Sequence, residues 1–172
     1  MSSKRLRAVA AAALVIGALL GMAGSFAPSV ELRRLAWALD GIALVIGSAL
    51  LAVHHLREGD DLLAAGFLVY LAGEALMLSG TGMDLEASAP SFAAGAGLWA
   101  AGLALTSASR VLPAFVRATG TVAAILFAVT AARMFGGGAL TPLSKPLPFY
   151  AYPFLAITLF GWAWAHVRSN QG

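Results

Sequence analysis

Four ionisable side chains interrupt long apolar stretches of this sequence: Asp40, Glu74, Arg117 and Arg133. A charge near the middle of a bilayer costs about 2.5–3.5 kcal/mol on insertion scales, so such residues are usually paired, turned inward and tied to function. Depth arithmetic brings three of them together. Asp40 is expected about five residues, roughly 8 Å, below one membrane face, and Glu74 about six residues, roughly 9 Å, below the same face. Arg133 falls near the matching end of its own helix, and its long stem can reach inward or outward. Asp40, Glu74 and Arg133 therefore form a predicted intramembrane polar cluster. Two carboxyls sharing one guanidinium leave one able to carry a proton. The simpler arrangement is a static Glu74–Arg133 ion pair with Asp40 wetted at headgroup level. Arg117 is expected to snorkel to the opposite face, near Asp60 or Asp61.

His54, His55 and His166 make the second constellation. Up-and-down helices bring all three to one membrane face, where two imidazoles from different helices can ligate haem iron or a divalent metal. Adjacent helical residues point about 100° apart, so only one of His54 and His55 readily joins such a pair. No Glu-x-x-His step supports a metal, and interfacial anchoring is the plainer role. No metal and no cofactor is expected. The chain has no cysteine, which excludes disulfides, thiolate ligands and a Cys nucleophile. It lacks a G-x-S-x-G elbow and a phosphate loop. Enzyme activity is not expected.

The elements that carry these residues are six apolar stretches of about twenty residues, each long enough to cross a roughly 30 Å hydrocarbon core as a helix. They are predicted over residues 8–27, 35–56, 62–80, 91–109, 113–135 and 149–167. Gly59 is expected to close the second and Asp60 or Asp61 to cap the third. Ser88 or Ser91 around Pro90 starts the fourth, Pro113 the fifth, and the glycine run 136–138 stops it. Pro153 marks either the true start of the sixth or a kink. Tyr150 and Tyr152 at one end, and Trp162 and Trp164 at the other, are predicted interfacial anchors. The basic run before the first stretch also suits a signal peptide, but the apolar length exceeds a typical signal core, so this helix is expected to be retained.

The composition is 60% hydrophobic and 11% charged, with a mean hydropathy of +0.84. A soluble domain carries about 25% charged residues. The fold class is therefore all-α: a polytopic transmembrane bundle with short loops, occupying residues 1–172 as one integral membrane domain. Lys/Arg bias orients it. With the N-terminus cytoplasmic, seven bases lie inside and four outside, and the base-free segment 81–91 is external. Both termini are expected inside. The net charge of +3 is scattered over loop ends, which fits headgroup contact rather than nucleic acid.

Small residues must hold such helices together, because lipid gives little hydrophobic drive between them. Gly17 and Gly21 form a GxxxG step, and Gly120, Ala124, Ala128 and Ala132 form a stripe. Both suit tight crossings within one chain or a homo-oligomer. One internal likeness stands out. Ala64-Ala65-Gly66 followed by Tyr70, Gly73 and Leu76 matches Ala93-Ala94-Gly95 followed by Trp99, Gly102 and Leu105, at a constant offset of 29 residues. It marks duplicated helices, or the general resemblance of Ala/Gly-rich helices. The expected function is that of a small multi-pass bacterial inner-membrane protein with the lipid bilayer as its first partner. It is a structural or accessory protein, as a homo-oligomer or a subunit of a larger membrane complex. The alternative is a transporter or channel for a small solute, ion or proton, using Asp40 and Glu74.

Overall fold

The computed structural model describes residues 3–168, which form six α-helices and no strand. They are α1 (Ser3–Ser25), α2 (Val30–Glu58), α3 (Asp61–Ser79), α4 (Ala89–Ala108), α5 (Ala114–Phe135) and α6 (Tyr152–Arg168). A 3₁₀ turn, Phe149–Ala151, leads into α6. The helices α1–α5 are each long and apolar enough to cross a membrane. Helix α6 has 17 residues and with its 3₁₀ turn extends about 30 Å.

Local chemistry sets most boundaries. The Ser29 hydroxyl accepts the Leu32 N–H at 3.2 Å and opens α2. Gly59, at φ 77°, closes it in the left-handed conformation that a side chain resists. The next residue, Asp60, accepts the Leu63 N–H at 3.2 Å, so α2 turns into α3 through two residues. Helix α2 starts five residues before its predicted boundary, because Ser29 caps it and the half-buried Arg33 and exposed Arg34 continue the helix. Pro153 sits in the first turn of α6, where a missing N–H costs nothing, so it marks a start and not a kink.

Each helix packs on its neighbours in sequence, and α6 returns to α1, closing the six into a ring. Gly17 and Gly21 are used inside this ring. A methyl placed on Gly17 would lie 2.5 Å from Leu44, and one on Gly21 would lie 2.7 Å from the Asp40 carboxyl. Of the predicted α5 stripe, Gly120 and Ala124 turn inward, whereas Ala128 and Ala132 stay exposed.

The tightest crossing joins α3 and α4, and there the 29-residue likeness acquires a geometry. A methyl on Gly102 would sit 2.9 Å from the Gly66 carbonyl, and one on Gly73 would sit 2.8 Å from the Gly95 carbonyl. The offset carries Gly66 forward to Gly95 and Gly102 back to Gly73, so the two helices exchange roles, as a local two-fold axis requires. Tyr70 and Trp99, also offset partners, stack on each other with ring centres 5.6 Å apart.

Aromatic rings fill the middle of the ring of helices. Trp162 meets Phe67 edge-on at 4.9 Å and Tyr70 at 5.4 Å, and Trp99 meets Phe127 at 5.1 Å. Trp162 is fully buried and Tyr152 is half-buried with its hydroxyl on the Pro142 carbonyl, which corrects both as predicted interfacial anchors, while Tyr150 and Trp164 are exposed. The indole faces inward because Gly161 and Ala163 are small enough to let α6 approach its neighbours. This plug separates the two predicted constellations. The histidines lie beyond it toward the N-terminal end of α1, and a cavity lies on the other side.

Candidate solute cavity

The cavity has a volume of about 470 Å³ and draws its walls from α1, α2, α3, α4 and α6, with the α3–α4 connection and Pro142 at its rim. Asp40 and Glu74 both line it. Glu74 is buried, at 3% exposure, and its Oε1 points toward Gly41, where a methyl would lie 3.3 Å away. Asp40 is half-buried and rests its carboxyl against Gly21. The two carboxyls are near enough for their charges to interact. Gly21 and Gly41 thus clear the space that both acids occupy.

The polar atoms around these acids lack partners. Asp40 Oδ1, Glu74 Oε2, the Tyr70 hydroxyl and the Trp99 indole N–H are all buried without a hydrogen bond. The Trp99 indole lies beside Glu74 but falls short of hydrogen-bond geometry. Orphaned buried groups of this kind cost about 1–3 kcal/mol each unless water or a ligand meets them. Asp40, Glu74 and Trp99 line the cavity, and Tyr70 lies behind its wall, one helical turn before Glu74.

Arg133 does not join this pair. It is exposed at the end of α5, a helix that contributes nothing to the cavity wall, and it forms no salt bridge with Glu74. The predicted static ion pair is therefore absent. Depth placed Arg133 level with Glu74, but α3 and α5 are not neighbours in the ring. Arg33 and Arg34 lie at the rim instead, with Asp84 and Glu86 across from them. Nor does Arg117 turn to Asp60 or Asp61. Its Nε–H donates to the Ser107 carbonyl at 2.9 Å, meeting one of the orphan acceptors at the end of α4.

The three histidines do converge, and all are buried. His166 donates its Nδ1–H to the Trp162 carbonyl at 2.6 Å, since a carbonyl can only accept. Neutral His166 must then accept at Nε2, and His55 Nε2–H donates to it at 2.8 Å. His55 also stacks on Phe67. His54 turns aside toward Glu58, 3.9 Å away, in line with the angle between adjacent helical residues. Among the described residues no group of three or more His, Asp or Glu side chains is placed to hold a metal ion. The histidine pair links α2 to α6 beneath the aromatic plug.

Sequence reasoning missed the aromatic lining: Trp37, Trp99 and Tyr152. The Tyr152 hydroxyl donates to the Pro142 carbonyl at 2.9 Å and ties the α5–α6 connection over the rim. Trp37 donates its indole N–H to the Gly21 carbonyl at 3.3 Å. Trp37 precedes Asp40 by three residues on α2, a spacing that puts both on one helix face, but no spacing pairs Trp99 or Tyr152 with the acids.

Compared with known proteins, the chain matches no family model, no curated protein and no solved structure.

Proposed function

We propose that this chain is a six-span protein of a bacterial inner membrane, with both termini cytoplasmic, that receives a small solute in a cavity open to the outside and carries it across. The observation that carries the reading is the pair Asp40 and Glu74, whose unpartnered oxygens lie in a cavity built from five helices. An intramembrane acid without a counter-charge is a functional group by default, since packing alone would have replaced it. The aromatic plug closes the other end, as in a carrier caught facing one side. Arg133 lies outside the site.

The absence of cysteine makes the test direct. Ala156→Cys on the cavity wall should react with a membrane-impermeant thiol reagent added outside intact cells, while Ala131→Cys in the core should not. Solute-driven or proton-driven flux in proteoliposomes should be lost in Glu74→Gln and kept in Asp61→Asn at the exposed far end. An unlabelled Ala156→Cys in a folded protein would refute an outward-opening site.

The accessory-protein reading has one observation in its favour, the exposed small residues Ala128 and Ala132 on α5. They form a smooth face against which another helix can pack. Stoichiometric co-purification of a larger partner, lost in Ala128→Trp, together with no flux, would favour it.

A further inference from the structure

We propose that the occupant of the cavity is an organic cation: a protonated amine on an apolar or aromatic body, its ammonium seated between Asp40 and Glu74. The inference rests on reading the cavity as a solute site and names the class of solute.

Size comes first. A volume of about 470 Å³ lies within the roughly 300–1,000 Å³ of organic ligand sites and is far larger than the roughly 30 Å³ share of one water. Charge comes second. Asp40 Oδ1 and Glu74 Oε2 are acceptors that lack donors, and neither carboxyl is in a salt bridge among the described residues. The lining bases, Arg33 and Arg34, stand seven and six residues before Asp40 on α2, a rise of about 10 Å. Asp84 and Glu86 balance them at the rim. An ammonium meets both needs at once, because it supplies N–H donors and a positive charge in a site where unpaired carboxylates are costly.

The walls decide the rest of the molecule. Leu44, Met77, Leu78 and Leu159 leave the hydroxyls of a sugar without partners, which argues against a polyol. Trp37 and Trp99 add flat apolar wall to the same cavity, although the Arg33 guanidinium stands over the Trp37 ring and Tyr70 covers one face of Trp99. A quaternary ammonium carries the charge without N–H donors, so it would leave the orphaned oxygens unmet.

Phenethylamine, phenethyl alcohol and the trimethylammonium derivative of phenethylamine share one body and separate charge from donors. Titration calorimetry on the full chain in phosphatidylcholine nanodiscs near neutral pH should show the amine binding most tightly. Its affinity should fall about ten- to hundredfold in Glu74→Gln and in Asp40→Asn, the loss of a charge-assisted hydrogen bond, and not in Asp61→Asn. Should Glu74→Gln fail to fold, Asp40→Asn on the half-buried carboxyl gives the same readout. Weaker amine binding in phosphatidylethanolamine nanodiscs would assign the natural amine to a lipid headgroup, and undiminished binding to a free amine. Either keeps the proposal. Alcohol binding as tightly as the amine, amine binding indifferent to both substitutions, or no amine binding would overturn it. In each of these cases labelling of Ala156→Cys still reports separately whether the cavity is open to solute.

Discussion

Replacing Gly102 by alanine should loosen the α3–α4 crossing more than any other single methyl in that seam. The added carbon would lie 2.6 Å from the Tyr70 nitrogen and 2.9 Å from the Gly66 carbonyl oxygen, against an ordinary contact of 3.4–4 Å. Both atoms belong to backbone, so no side chain can turn away, and the helices must part. Overpacking of this kind costs about 1–3 kcal/mol. Alanine also favours the helix by about 1 kcal/mol over glycine, which masks part of the loss. Gly97→Ala removes that ambiguity. It changes the same residue type on the same helix, but its methyl meets only Ala131, at 3.7 Å. The propensity gain cancels between the two variants, leaving a packing difference of about 2–3 kcal/mol, near the top of the overpacking range because backbone must move. Equilibrium unfolding in mixed detergent micelles, followed by tryptophan fluorescence, reads this difference, and Trp99 stacked on Tyr70 reports the same displacement. If Gly102→Ala and Gly97→Ala unfold within about 0.5 kcal/mol of each other, the close backbone approach does not hold the pair together and the reasoning fails.

Three further outcomes follow from the geometry. Asp60→Ala should cost about 1 kcal/mol in the same unfolding assay, whereas Asp60→Asn, which keeps a capping oxygen, should cost little. His55→Ala and His166→Ala should each cost about 1–3 kcal/mol by orphaning the other imidazole, and the double variant should cost clearly less than their sum; strict additivity would show that the two rings do not interact. Tyr152→Phe should cost about 0.5–1.5 kcal/mol and speed amide exchange around Thr141–Ser144, because the hydroxyl no longer holds the Pro142 carbonyl over the cavity rim; unchanged exchange would remove that role.

The sequence alone carries the helices and most of their ends. The Ser29 cap and the role of Pro153 as a start emerged only with the structure, but apolar length places the stretches, and Gly59, Asp60 and the glycine run after Phe135 act through local backbone chemistry that needs no tertiary contact. The sequence also placed Asp40 and Glu74 at one depth, since rise per residue is fixed. Which way each helix faces came only with packing. In a chain made for lipid, apolar residues surround every helix, so hydrophobic periodicity carries no inward direction. Arg133 and Glu74 share a depth but not a neighbouring pair of helices, so they stay apart. Trp162 and the three histidines resemble interfacial residues by position, yet the small residues beside them let the helices close in and bury them. Gly21 and Gly41 are the same lesson on a smaller scale: each is an ordinary helical glycine until the partner helix brings a carboxyl against it.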